Sequence, residues 1–246
     1  MKYMIHSCNS RKWYVDEFLV PSMIEQGIKE DDIYVYNDDK CEGNLVSWVV
    51  SCHVAYEMWG EQNVWHLQDD VIICSKFKER TEALEEVPVK VICGFTCHYD
   101  DGRGPGLKEA YNHMWYSFPC IRIDGKLAKL FAEWAALYVW RDPQFGFYVR
   151  SKKGDDFIFR VYIESYFPRE LVINLTPNLV DHVDYLVGGT TVNHNRTLQG
   201  KDIRSIYWLP EDEHLVDELE ERINKRNEAR KNNRRSEERR VGKECR

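Results

Sequence analysis

Short apolar runs alternate with segments of helical periodicity in the N-terminal part of the chain. The runs KYMIHS (2–7), DIYVYN (32–37) and NVWHL (63–67) have the length and composition of buried strands. Between them, residues 12–26 predict a helix interrupted near Pro21, and residues 45–59 predict a second helix with one apolar face. Strands that alternate with helices in this way predict an α/β domain with a largely parallel sheet.

The apolar patterns of the C-terminal half predict further helices. Residues 125–140 predict one whose apolar face lies in the core, formed by Leu127, Leu130, Phe131, Trp134, Leu137 and Tyr138. From Pro210 the segment PEDEHLVDELEERINKR places acidic residues before basic ones, which suits a helix dipole. We therefore expect one domain at 1–209, a capping helix at 210–235 and a polar, vector-like tail at 236–246 that is non-native or disordered.

The third predicted strand runs directly into two adjacent carboxylates, Asp69 and Asp70. In open α/β sheets, ligands bind beyond the carboxyl ends of the strands. Two neighbouring carboxylates repel each other unless a cation lies beside them, and hard oxygen ligands suit Mg²⁺ or Mn²⁺. The alternative is that Asp69 caps a following helix and Asp70 is solvated.

Polar side chains at all three predicted strand ends are suited to contact a nucleotide. Asn9, Ser10 and Arg11 after the first strand offer hydrogen bonds to a base or phosphate, and Asp38 or Asp39 after the second can hold ribose hydroxyls. The candidates are Ser7, Asn9, Ser10, Arg11, Asp38, Asp39, Gln68 and Asp69. Each of them is also compatible with an ordinary turn.

Three later motifs carry candidate chemistry. The segment KKGDDFIFRVY (152–162) places Asp155 and Asp156 at the start of a helix, where an N-cap role is the alternative. The segment PNLVDH presents His182 as an available metal ligand after a strand and a Pro-Asn turn. The segment GGTTVNHNR offers backbone amides and Arg196 to phosphates, although a glycine-containing turn fits equally well.

In order and spacing, these motifs resemble a nucleotide-sugar-dependent glycosyltransferase of the GT-A fold, of the lipooligosaccharide or phage-encoded type. The carboxylate pair after the third strand is similar to that family's metal motif, GDD to its acid-base element, and PNLVDHV to its P-x-L-V-x-H stretch. The resemblance covers residues 2–196. It implies a Rossmann-related, mixed and mostly parallel sheet flanked by helices.

The same resemblance implies roles for individual residues. Asp70 would ligate a divalent cation, Mn²⁺ or Mg²⁺, with Asp69 nearby and His182 as a further ligand. Asp156 would take the proton of the acceptor hydroxyl, with Asp155 as its rival. The chain departs from the family pattern at Gln68, where a carboxylate is usual, and in reading DD for the usual ED.

Composition narrows the class of protein. With 43% hydrophobic and 13% aromatic residues the chain has ample material for a core, and its eight cysteines, without a C-x-x-C pair, indicate reduced core thiols. Residues 1–221 carry 23 basic and 37 acidic side chains, a net of −14, whereas residues 222–246 carry 11 and 4, a net of +7. No apolar stretch approaches a membrane span, so we expect a cytoplasmic enzyme, in the host cytoplasm if phage-encoded.

The expected function is transfer of a sugar from a nucleotide-diphosphate sugar, with a UDP-sugar as the expected donor, to a hydroxyl acceptor by a hexosyltransferase-like enzyme. The acceptor is either a glycan or a hydroxymethylated pyrimidine in phage DNA. The acidic body disfavours nucleic acid, whereas the basic tail favours it. Two other classes stay open: a metal-dependent nucleotidyltransferase or phosphohydrolase, and a non-catalytic binding module.

Overall fold

A computed structural model describes residues 1–95, 106–109, 118–151, 154–168, 172–188 and 208–244. The chain divides into two compact units, Met1–Leu209 and Pro210–Arg246. The strands of the first unit are β1 (Lys2–Cys8), β2 (Ile33–Asp38), β3 (Val64–Gln68), β4 (Val71–Ile73), β5 (Val91–Cys93), β6 (Gly106–Glu109), β7 (Cys120–Ile123), β8 (Val172–Thr176) and β9 (Val180–His182).

The helices of the first unit pack on these strands. The first, α1, comprises Lys12–Tyr14, a π-helical segment Val15–Leu19 and Val20–Glu25; the fourth, α4, comprises Gly125–Trp134 and a π-helical segment Ala135–Val139. The others are α2 (Asn44–Trp59), α3 (Phe77–Glu82), α5 (Gly146–Ser151), α6 (Asp155–Tyr166) and α7 (Asp184–Val187). Short 3-10 turns occupy Glu30–Asp32 and Pro143–Phe145.

Within the described ranges, seven strands form one sheet in the order β2-β1-β3-β7-β5-β8-β6. Strand β1 is parallel to β2 and β3, and β5 is parallel to β8, whereas β7 and β6 run antiparallel to their neighbours. Five of the seven strands therefore point the same way. The expected mixed, mostly parallel sheet flanked by helices is confirmed.

Helices cover both faces of the sheet, and alternate residues of each strand point to opposite faces. On one face, Tyr3 packs its ring against Phe77 of α3. On the other face, Trp48 of α2 joins Phe118, Phe131 of α4 and Phe159 of α6 in a buried cluster with β5 and β7. Strand β4, which directly follows the carboxylates in the chain, forms a separate antiparallel pair with β9.

Helix α1 continues through Pro21, where an interruption was expected. Its π-helical segment Val15–Leu19 precedes the proline. Proline has no N–H to donate and its ring crowds the carbonyl one turn earlier, so a locally widened turn before it lets the helix continue.

The expected apolar face of α4 is partly wrong. Leu127 and Phe131 are buried, but Leu130, Leu137 and Tyr138 are exposed. The buried stripe runs instead through small residues, Ala128, Ala132 and Ala135, and through Val139. Small side chains let α4 approach α2 closely, and the π-helical segment rotates the residues after Trp134 relative to a regular helix.

The second unit is a 3-10 turn, Pro210–Asp212, followed by helix α8 (Glu213–Glu244). Glu213 in its first turn suits the positive end of the helix dipole. The helix runs through residue 244, so it includes residues of the polar tail set aside at 236–246. None of the helices in the described part of the chain has the length and apolar character needed to cross a membrane.

Candidate functional site

Strand pairing brings the candidate residues to one edge of the sheet. The parallel register of β1 and β3 pairs His6 with Gln68, so the loop after β1 lies beside Asp69 and Asp70. The chain then enters β4, where Val71 pairs with His182 of β9, and the Val183 N–H donates to the Asp70 carbonyl at 2.8 Å. The carboxylates thus lie between two strands, and the alternative that Asp69 caps a helix is wrong.

Arg11 bridges the two carboxylates. Its two terminal nitrogens lie 2.6 Å from Asp69 Oδ1 and 3.0 Å from Asp70 Oδ2, and the other Asp69 oxygen accepts the Cys8 N–H at 2.9 Å. Asp69, Asp70 and Arg11 are 1%, 6% and 7% exposed. Burial lowers the pKa of Arg11, but the charges of Asp70 and Asp69 outweigh it and raise that pKa above its usual value. The guanidinium is therefore held charged between two buried carboxylates.

His182 approaches Asp70 from the other side. Its Nε2 lies 3.4 Å from Asp70 Oδ1, and its Nδ1 lies 3.5 Å from Asp184 Oδ1. Burial raises the pKa of Asp70, but Arg11 and His182 outweigh burial and hold that pKa well below its usual range. Asp70 is thus ionised at neutral pH. For the neighbouring Asp69, burial outweighs Arg11 and raises the pKa.

The second carboxylate pair is linked to this cluster through Gln68. Its Nε2 lies 3.5 Å from Asp155 Oδ2, at the start of α6. Burial raises the pKa of Asp155 to about 6, and the charge of Asp70 also acts to raise it. Burial and the charge of Asp155 raise the pKa of Asp156 to about 7. The N-cap position belongs to Gly154, so neither aspartate is the N-cap.

The proposed nucleoside contacts occupy the ends of β1 and β2. Asn9 is exposed, donates to the Asp39 carbonyl at 3.1 Å and accepts from Asn37 at 2.7 Å. Both oxygens of Asp38 accept backbone N–H groups, from residues 42 and 43, so this carboxylate closes a turn and Asp39 is the exposed one of the two. Ser7 is buried. Arg196 lies outside the described residues.

Asp70 and His182 fit a cation that also binds phosphate. At 3.4 Å, the contact between Asp70 Oδ1 and His182 Nε2 is longer than most hydrogen bonds. Two ligands of one ion at about 2.1 Å have a similar separation. The described ranges contain no cluster of three or more His, Cys, Asp or Glu residues suited to a metal. Mg²⁺ is commonly held by one or two carboxylates together with substrate phosphates, so Asp70 would supply the carboxylate here and His182 a further donor.

Two features of the site were absent from the sequence analysis. Asp184 lies behind His182, where a carboxylate orients an imidazole ligand. Its position two residues after His182, in VDHVD, was the available signal. The second feature is that Arg11, expected to contact a base or phosphate, contacts the carboxylates instead. No local pattern predicts that pairing, because Asp69 lies 58 positions after Arg11 in the chain.

Comparison with known proteins finds distant similarity only. No family model and no curated protein matches the chain. A glycosyltransferase involved in the glycosylation of the major capsid of PBCV-1 is 15% identical, with a TM-score of 0.41, over 75% of this chain and 82% of that one. The inositol-1-phosphate CTP transferase from T. maritima is 11% identical, with a TM-score of 0.43, over 82% and 96%. A protein from STIV is 13% identical, with a TM-score of 0.39, over 74% and 85%.

Proposed function

We propose that the chain is a metal-dependent glycosyltransferase of GT-A type that moves a sugar from a nucleotide-diphosphate sugar, with UDP-sugars as the first candidates, to a hydroxyl acceptor. One observation carries the proposal: at one sheet edge, Asp70 lies in an environment opposite to that of the pair Asp155 and Asp156. Asp70 is held ionised, as a metal ligand must be, whereas the pKa values of Asp155 and Asp156 lie near neutrality. Carboxylates whose pKa values are pushed apart take separate roles in catalysis.

The donor diphosphate is proposed to lie at Asp70 and His182. These two residues would hold Mn²⁺ or Mg²⁺, which stabilises the negative charge of a diphosphate leaving group. Asp184 orients the His182 ring through the 3.5 Å contact with its Nδ1. The nucleoside is proposed to extend toward the ends of β1 and β2, where Asn9 and Asp39 are exposed.

The acceptor hydroxyl is proposed to lose its proton to Asp156, with Asp155 as the rival base. A base is most effective when its pKa lies near the working pH, and both residues meet this condition. Asp156 is the less buried of the two, so an acceptor reaches it more readily. The acceptor is a glycan or a hydroxymethylated pyrimidine in DNA, and the acidic body of the chain favours the glycan.

Donor turnover separates the two roles without a known acceptor. With Mn²⁺ and a panel of UDP- and GDP-sugars, we expect slow release of the free nucleotide diphosphate by wild type, with water as acceptor. Asp156→Asn is expected to lower this rate by about 10²- to 10⁴-fold while nucleotide affinity is kept. Asp70→Asn is expected to lose both properties.

Asp16→Asn is the matched control, because Asp16 is an exposed carboxylate in an i,i+4 pair with Lys12. It should behave as wild type. Release of nucleoside monophosphate or pyrophosphate would instead favour the nucleotidyltransferase or phosphohydrolase class. Full turnover in both Asp70→Asn and Asp156→Asn would contradict the proposal.

A further inference from the structure

Arg11 already occupies the carboxylate pair that a cation is proposed to use. Its guanidinium bridges two different carboxylates, with contacts of 2.6 Å to Asp69 and 3.0 Å to Asp70, and all three side chains are buried. The positive charge of the guanidinium thus offsets the repulsion between the two adjacent aspartates. The carboxylates therefore do not require a metal ion to lie side by side.

The Arg11 bridge lowers the negative charge that a cation meets at Asp69 and Asp70. Two carboxylates and one guanidinium leave a formal charge of −1 at the pair. A divalent ion at Asp70 and His182 would then lie close to the guanidinium, and two positive charges repel strongly in a buried site, although Asp69, Asp70 and Asp184 are all nearby. A diphosphate brings negative charge that both the ion and the guanidinium can contact, which offsets this repulsion.

We propose that Arg11 makes cation binding conditional on the diphosphate. This inference rests on the proposed function, and it deepens it by assigning a control on the order of binding. In the free protein, the charge of Arg11 offsets part of the negative charge of Asp69 and Asp70 and keeps the affinity for a divalent ion low. When a nucleoside diphosphate binds, the guanidinium shares its charge with the phosphates, and Asp70 with His182 takes the ion tightly. Nucleotide and metal thus bind with positive coupling.

Binding of Mn²⁺ alone tests the inference directly. Mn²⁺ is titrated into wild type and Arg11→Gln, with and without UDP, and free Mn²⁺ is followed by electron paramagnetic resonance. Without UDP, Arg11→Gln is expected to bind Mn²⁺ at least tenfold more tightly than wild type. UDP should then improve its Mn²⁺ affinity much less than it improves that of wild type. Arg11→Lys keeps the positive charge and should retain the weak Mn²⁺ binding of wild type.

A second pair of variants controls for a loss of folding in Arg11→Gln. Arg11→Gln leaves buried carboxylates without their guanidinium, which is costly. The double variant Arg11→Gln/Asp69→Asn removes one charge of each sign and keeps Asp70. It is compared with Asp69→Asn, which retains Arg11 beside Asp70. We expect the double variant to bind Mn²⁺ alone more tightly than Asp69→Asn, with near-ultraviolet circular dichroism as the check on folding.

The outcomes separate this inference from the proposed function. If Mn²⁺ alone binds no more tightly after Arg11 is replaced, in either comparison, the control by Arg11 is overturned even when wild type binds Mn²⁺ with UDP. If wild type binds Mn²⁺ no more tightly with any nucleoside diphosphate than without one, the coupling and the proposed function both fail, even when the variants without Arg11 bind Mn²⁺ more tightly.

Discussion

At the scale of single residues, the site sets four aspartates in different electrostatic environments. Asp70 has a guanidinium on one oxygen and an imidazole beside the other, and both favour its ionised form. Asp155 and Asp156 are neighbours in the first turn of α6, where burial raises the pKa of both and the charge of Asp155 raises that of Asp156 further. The same side chain is thus suited to binding a cation at one position and to accepting a proton at another.

The pH dependence of turnover follows from this difference. A base must be unprotonated to accept a proton, and the pKa values of Asp155 and Asp156 are raised to about 6 and about 7. We expect kcat/KM for donor turnover to rise about tenfold per pH unit below this range and to level off above it. Measurement from pH 5 to 8.5, with Mn²⁺ saturating at each pH, checks the prediction. A rate independent of pH across 5 to 7 would exclude both residues as the base.

Sequence patterns indicate which residues belong to the site, but they do not predict which of those residues contact one another. Asp69, Asp70 and His182 stand out because polar side chains follow buried strands, a local signal. The contact of Arg11 with both aspartates depends on the pairing of β1 with β3, and the 3.4 Å approach of His182 to Asp70 depends on the pairing of β4 with β9. Such contacts between distant positions follow from the fold and carry no local pattern.

At the scale of elements, the position of His182 depends on the short segment between β8 and β9. Arg80 of α3 donates to the Asn178 carbonyl at 2.8 Å and also to the Pro177 carbonyl. The Leu179 N–H donates to the Gly94 carbonyl at 2.8 Å. These bonds tie the segment to α3 and to the end of β5, and β9 then pairs with β4 beside Asp70. Arg80 is therefore a positioning residue for His182.

Replacement of Arg80 should weaken metal-dependent binding specifically. Arg80→Met keeps the length and apolar stem of the side chain but removes the bonds to the β8–β9 segment. We expect UDP affinity with Mn²⁺ to fall about tenfold, since supporting partners of metal ligands typically matter by 10- to 100-fold. With chelator neither wild type nor Arg80→Met is expected to bind UDP, so the change is read in the Mn²⁺-dependent affinity alone. Lys78→Gln, on the same helix and in an exposed pair with Glu82, is the matched control.

The position of strand β7 in the sheet and the buried face of helix α4 could not be predicted from the sequence. The first three strands were predicted within one residue, because each is a compact apolar run between polar segments. The insertion of β7 between β3 and β5, antiparallel to both, reflects pairing across the whole chain. The α4 face was mispredicted because large apolar residues were weighed above the alanines that pack closest.

At the scale of the whole molecule, the parallel strands β1, β2 and β3 end at one edge of the sheet, where the site residues lie.

Beneath that edge, the core contains a polar pair of histidines. His6 Nε2 and His66 Nδ1 lie 2.9 Å apart, and both rings pack against Trp48. Burial lowers the pKa of His6 to about 3 and lowers that of His66 well below its usual value. Both rings are therefore neutral in the folded protein.

This pair predicts a loss of stability in mild acid. Because the folded-state pKa values lie below the unfolded value of about 6.5, the unfolded chain takes up the protons first, and stability present above pH 6.5 falls as pH decreases. His66→Asn removes one such group. We expect the wild-type advantage in unfolding free energy to shrink by about 1–2 kcal/mol between pH 7 and 5. Guanidinium unfolding at each pH measures it, and an unchanged advantage would contradict a neutral buried His66.

Calorimetric titration of UDP and GDP tests whether Asp70 and His182 bind a divalent cation together with a nucleoside diphosphate. Each nucleotide is titrated into wild type, Asp70→Asn, His182→Ala and the control Asp16→Asn, with Mn²⁺ and with chelator. We expect one nucleotide to bind wild type and Asp16→Asn only with Mn²⁺, and both site variants to lose this binding. Equal binding with Mn²⁺ and with chelator, or unchanged binding by folded Asp70→Asn, would overturn the cation site.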